Sequence, residues 1–147
     1  MLISQILRTK RPDVVTIPPD ASVNAAIALM TRERVGALLV VNEEQHLLGV
    51  ISERDIIHNL ESRGALLFND QVSSVMRNDG PVASLEDSVL SVMEVMTAAR
   101  ARHVPIIRYG RPIGIVSIGD VVKSRLSETI QENSVLRDFA RVHWLSS

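Results

Sequence analysis

The segment Gly49-Val50-Ile51-Ser52-Glu53-Arg54-Asp55 returns as Gly114-Ile115-Val116-Ser117-Ile118-Gly119-Asp120. Each copy closes an apolar, strand-like run and opens a helix-like one, so the chain builds one kind of strand-to-helix junction twice. Such a junction presents unpaired backbone N–H groups and the positive end of a helix dipole, a seat for phosphate. Two such seats in one chain point to nucleotide binding.

The repetition reaches well beyond the motif. Val23, Ala26, Ile27 and Met30 stand at i, i+3, i+4 and i+7, and Val89, Val92, Met93 and Met96 reproduce that helical face 66 positions later. Ser22 and Ser88 precede the faces as N-caps, with Asp20 and Glu86 adding acidic charge ahead of them. Each helix is followed by two apolar runs, residues 37–41 and 47–51 in the first copy and 104–107 and 113–116 in the second, which read as hairpins. The second hairpin turn, 108–111, is one residue shorter than the first, 42–46, so the offset falls from 66 to 65. Upstream, Ile3, Ile6 and Leu7 match Val72, Val75 and Met76, which predicts a short leading helix in each copy. The organisation expected is residues 1–68 as repeat one with its leading helix, 69–127 as repeat two, and 128–147 as a helical tail. Residues 61–71 form the linker, with Gly64 and Asn69-Asp70 as turn signals and Leu66-Leu67-Phe68 as an anchor onto the core.

With 147 residues, two halves of this size must pack together to bury enough surface. Hydrophobic residues make up 46% and aromatics only 3%, an aliphatic composition suited to mixed α/β packing. A formal charge of −1, with no basic tract, argues against a nucleic-acid partner. The absence of cysteine removes disulfides, thiolate catalysis and cysteine metal sites. The first seven residues are too short and too polar for a signal sequence, and no apolar run nears the roughly 18 residues of a membrane span. A cytoplasmic protein with no membrane partner is expected.

Ser52 and Asp55 are three apart at a helix start, as are Ser117 and Asp120. That spacing makes a capping box, and it also sets acceptors for ribose hydroxyls beside amide donors for phosphate; the two roles are compatible. The glycines of Gly114-Ile115-Val116-Ser117-Ile118-Gly119 have P-loop spacing, but Asp120 stands where a lysine must reach the phosphates. Triphosphate hydrolysis by that route is excluded, and no dinucleotide glycine fingerprint occurs. His46, His58, His103 and His143 lack metal-ligand spacing, so no metal site is expected. His46 and His58 read as solvated surface. His103, in Arg102-His103-Val104-Pro105, opens a strand and reads either as a phosphate contact or as ordinary surface.

With the doubled junction and Arg102-His103-Val104-Pro105 in view, residues 3 to about 126 resemble a tandem CBS-domain protein, or Bateman module, of the short stand-alone bacterial type. Ala21-Ser22-Val23, Gly36-Ala37-Leu38-Leu39-Val40 and the two Gly-x-x-Ser-x-x-Asp segments carry the resemblance. It implies an α/β (α+β) fold of two β-α-β-β-α repeats packed about a pseudo-twofold axis, with two clefts for adenosine-containing ligands and a disc-shaped homodimer. By resemblance, Asp55 and Asp120 hold the ribose diol, and Ser52 and Ser117 lie near ribose and phosphate. Thr16, Gly36, Ala37 and Val104 form the adenine environment, and Ile17, Ile51, Val82, Pro105 and Val116 complete the nucleotide-binding residues expected. Arg102 and His103 meet phosphate.

The copies differ where it matters. Thr16 aligns with Val82, and Gly36-Ala37 occupies the place of Arg102-His103, so the clefts should be chemically unequal. Arg54 replaces Gly119 beside the first junction and reads as an exposed ion pair or a phosphate contact. In the tail, Leu126, Ile130, Leu136, Phe139 and Trp144 mark either a final helix packed on its own domain or an oligomer contact.

The function expected is non-enzymatic sensing of AMP, ATP, NAD or a related ligand, acting on a homodimer or on a separate regulated protein. The alternative is an interaction scaffold with vestigial clefts. A nucleotide-processing enzyme ranks last, because no nucleophile–base pair, carboxylate dyad, metal set or catalytic cofactor site is legible.

Overall fold

The computed structural model describes residues 1–10 and 14–132. Leu136, Phe139, His143 and Trp144, with the readings attached to them, lie outside the described residues.

Local chemistry starts and stops the repeated elements alike. Helix α2 (Val23–Glu33) begins where the Ser22 hydroxyl accepts the Ala25 N–H, and α4 (Val89–Ala99) begins where Ser88 accepts that of Ser91, both at 3.0 Å. Each ends on an arginine in left-handed conformation, Arg34 at φ 57° and Arg100 at φ 53°. Strands β2 (Ala37–Val41) and β3 (Leu47–Ser52) pair antiparallel, as do β4 (His103–Arg108) and β5 (Arg111–Ser117). The tighter second hairpin turns through Tyr109 and Gly110, both at positive φ, the conformation a two-residue hairpin loop favours. Helix α3 (Glu53–Arg63) follows β3, and α5 (Ile118–Glu132) follows β5, running unbroken through residue 127. Strand β1 (Thr16–Ile17) lies parallel to β2, giving the first repeat three strands in the order β1-β2-β3. The second repeat has a single parallel bridge, Ala83 to Ile106, at the corresponding place. The fold is α+β.

Two aliphatic cores result. Val23, Leu38, Val40 and Ile51 are fully buried in the first; Val89, Val104, Ile106 and Val116 are buried in the second to within 1% exposure. The leading segments exchange between them. Ile3 and Ile6, on helix α1 (Ile3–Thr9), pack into the second core, whereas Val72 and Val75 join Leu67 in the first. The exchange is written in backbone bonds that correspond pair by pair. Ile3 N–H donates to Asp87 O at 2.9 Å and Val72 N–H to Ala21 O at 2.8 Å; Ser4 donates to Leu85 and Ser73 to Pro19, both at 3.0 Å. Reciprocity of this kind is what a pseudo-twofold arrangement requires.

One expectation is corrected. The second leading segment is not an α-helix but a three-residue 3₁₀ turn, Val72–Ser74. Its first two N–H groups are tied as those of α1 are, but Arg77 immediately pairs with Val50 in both directions at 2.8 and 2.9 Å, so the helical ladder stops after one turn. Of the linker anchor, Leu67 is buried, while Leu66 and Phe68 are exposed.

Candidate functional site

At the first junction, Ser52 and Asp55 cap each other. Asp55 Oδ2 accepts the Ser52 N–H at 2.9 Å and its hydroxyl at 2.8 Å, and the Ser52 hydroxyl oxygen accepts the Asp55 N–H at 3.2 Å. Ser117 and Asp120 repeat the box, with Ser117 N–H to Asp120 Oδ2 at 2.8 Å and Asp120 N–H to Ser117 Oγ at 3.2 Å.

Each junction opens onto a cavity whose far wall comes from the other repeat. The first, about 550 Å³, sets Ser52, Arg54 and Asp55 against Val82, Arg102, His103 and Pro105. The second, about 540 Å³, sets Ser117 against Gly36 and Ala37, with His103 again in the wall. The chain therefore builds its clefts crosswise. His103 Nε2 lies 3.8 Å from the point a β-carbon on Gly36 would occupy, which places the imidazole between the two cavities.

The remaining residues read from sequence lie elsewhere. Ile17, Ile51, Val104 and Val116 are core side chains, no more than 4% exposed. Thr16 is half-buried in β1 opposite Leu39, and the cavity is lined by its neighbours Val14 and Val15 instead. Asp120 is covered by Lys10, which donates both to Asp120 Oδ2 and, at 2.7 Å, to Ile115 O. Burial pushes the Asp120 carboxyl up, but the hydrogen bonds from Lys10 and Ser117 more than cancel this and hold it below its ordinary value. His103 is lowered chiefly by burial and secondarily by Lys10, against an opposing pull from Glu53, Asp120 and Asp55.

Charge distinguishes the cavities. Arg54, Arg77, Arg100 and Arg102 line the first with Asp55 as the acidic residue of that wall, and Arg77 is already paired with Asp79. Lys10, Arg32, Arg34 and Glu33 line the second. Arg77, Arg100 and Arg34 are absent from the sequence-derived site, although Arg34 and Arg100 sit 66 apart, in register with the repeat. The motif glycines also have a role that the phosphate-seat reading overlooked. A β-carbon on Gly49 would stand 2.7 Å from Arg77 O and 2.9 Å from Met76 Sδ, and one on Gly114 would stand 2.9 Å from Leu7 Cδ1. Each glycine admits the leading segment that crosses over it.

Among the described residues no cluster of three His, Asp or Glu side chains could hold a metal ion, and no helix is long and apolar enough to cross a membrane.

The sequence model of the CBS domain matches residues 3–62 and 72–127. The chain belongs to the CBS-domain family. It is 38% identical over 117 residues to the mitochondrial CBS domain-containing protein CBSX3 of Arabidopsis thaliana, covering 77% of this chain and 57% of that protein's length. The crystal structure of a CBS-domain-containing protein from Agrobacterium tumefaciens superposes with a TM-score of 0.80 at 35% identity, over 84% of this chain and 92% of that one. The structure of CBSX2 in complex with AMP shares the fold, with a TM-score of 0.71 at 22% identity over 87% of this chain and 98% of that one. The two-repeat architecture is thus that of a tandem CBS pair, in agreement with the resemblance carried by the sequence motifs.

Proposed function

We propose that this CBS pair is a non-enzymatic sensor of an adenosine-containing phosphate ligand, AMP, ATP, NAD or a relative, bound between its repeats. The observation that carries this reading is the first cavity, where the Ser52–Asp55 box of one repeat faces Arg100, Arg102 and His103 of the other. A carboxylate whose Oδ1 takes no part in the capping bonds suits a ribose diol, and an excess of arginine suits phosphate. Four arginines disfavour a cationic sulfonium in the same place. The crystal structure of a fold relative with AMP supports adenosine as the nucleoside.

A second copy of the chain is proposed to cover the exposed apolar residues of α3 and α5. Ile57 is 67% exposed and Val122 54%, with Leu60 and Ile118 beside them on the same two helices. Ligand acts on such a dimer, or on a separate regulated protein, only through different affinities for two arrangements.

Thermal unfolding with AMP, ATP and NAD tests the reading. A ligand at a hundred times its dissociation constant stabilises by about 2.7 kcal/mol, which raises the melting temperature by several degrees, and Asp55→Ala should remove most of the rise. No rise with any of the three sinks the reading and leaves the scaffold alternative standing.

A further inference from the structure

The same capping box is open in one cleft and occupied in the other. Asp55 Oδ2 receives only Ser52 in the bonds described above, whereas Asp120 Oδ2 receives both Ser117 and the ammonium of Lys10. Lys10 reaches Asp120 from the end of α1, the segment that crosses from the first repeat onto the second, and it also ties down Ile115 O on β5. The residue in the equivalent place of the second leading segment is Asp79, which is exposed and paired with Arg77 at 3.4 Å. The repeat thus carries a lysine over one ribose acceptor and none over the other.

We propose that Lys10 is an internal occupant of the second cleft, standing where a ligand's ribose hydroxyls would donate. The proposal rests on the adenosine reading above and deepens it. A ligand entering the second cleft must first part an ammonium from a carboxylate, both about a quarter exposed and linked by a charge-assisted bond. A ligand entering the first meets Asp55 without that competitor. The chain should therefore bind one ligand tightly and a second weakly, with Lys10 setting the interval between the two affinities. Hydroxyl-to-carboxylate exchange also couples the second site to α1. Filling it frees the Lys10 end of the helix whose Ile3 and Ile6 belong to the second core.

Calorimetric titration of the full chain with AMP tests this. The wild type should show one event per chain, lost in Asp55→Ala. Lys10→Gln should bring a second event into range, tightened about tenfold or more relative to the wild type, and Lys10→Gln with Asp120→Ala should lose it again. Lys10→Arg, which keeps the charge and the donor, should restore the wild-type isotherm. A residue with a merely structural role would move the melting temperature without changing the stoichiometry. Two equal events in the wild type overturn the proposal irrespective of how any variant folds. So does a Lys10→Gln isotherm identical to the wild type while Asp55-dependent binding persists, and that result leaves the adenosine reading intact. Absence of any AMP event in every chain overturns both.

Discussion

The amide of Ile118 donates to the carbonyl of Arg102 at 2.9 Å, and the amide of Glu53 does the same to Gly36 at 3.0 Å. The Asp55 and Asp120 amides are held by serine hydroxyls, so of the three first-turn N–H groups at each junction two already have partners. The helix starts are less available to phosphate than their sequence suggests, which is why the proposed phosphate contacts fall to the arginines around the first cavity.

Arg100 occupies a left-handed position that glycine fills at lower cost, by roughly 1 kcal/mol. Arg100→Gly should raise the unfolding free energy by about that amount while weakening AMP by about tenfold. Adenosine, which lacks the phosphate, should bind the variant as it binds the wild type. Calorimetry with the two ligands decides the matter: equal losses for both would show that Arg100 does not act through phosphate.

The two motif glycines should differ in their tolerance of alanine. At Gly49 the added carbon meets a backbone carbonyl, Arg77 O, at 2.7 Å, whereas at Gly114 it meets the end of a leucine side chain, Leu7. Gly49→Ala is expected to destabilise by about 1–3 kcal/mol and Gly114→Ala by distinctly less, because Leu7 can change rotamer and a carbonyl cannot. Urea midpoints of the two variants measure this, and equal midpoints would refute the assignment.

His103 should make stability rise with pH on the acid side of neutrality. Burial lowers it below its ordinary value of about 6.5, so between the folded and unfolded values the unfolded chain carries the extra proton. Stability therefore increases through that window and levels off above about 6.5. A phosphate beside the imidazole pulls the other way, so AMP binding near pH 6 should take up protons. Titrations in two buffers of different ionisation enthalpy would reveal the uptake, and His103→Gln should abolish it; uptake that survives the substitution belongs to another group.

Asp120 has the opposite sign. Its folded value lies below the ordinary carboxylate value, so its contribution is complete above about pH 3.9 and disappears as pH falls through the folded value. The stability difference between wild type and Lys10→Gln should be present at pH 5 and shrink toward pH 3. Denaturation midpoints across that range check it, and a constant gap would show that Lys10 stabilises by packing rather than by charge.

Periodicity and caps carried much of the architecture. Ser22 and Ser88, the two apolar helical faces and the paired hairpin runs are local signals, and each formed the element expected of it. The second leading helix stops after one turn although its spacing is helical, because the backbone of Arg77 is claimed by Val50 on β3. Ser52 and Asp55 were legible because their motif repeats, and Arg102 and His103 because they stand at the opening of a strand, yet their pairing across repeats was not, since nothing in the order of residues says that Asp55 faces Arg102. The contact of Lys10 with Asp120 spans 110 positions and belongs to only one copy, so no internal comparison could expose it. Arg34 and Arg100 did leave a trace, their shared register, which composition and motif reading passed over.

Helix α1 precedes every other element of the core it enters, and its seat among Val89, Val104 and Val121 is completed more than a hundred residues later. Ile3 and Ile6 have no second core to enter until β5 and the start of α5 exist. The first repeat meets the converse delay, because Val72 and Val75 emerge after its hairpin and α3 are made. Neither half can finish folding during synthesis on its own schedule. Closure of the first core awaits the leading segment of the second repeat, and closure of the second takes back a helix made before either hairpin.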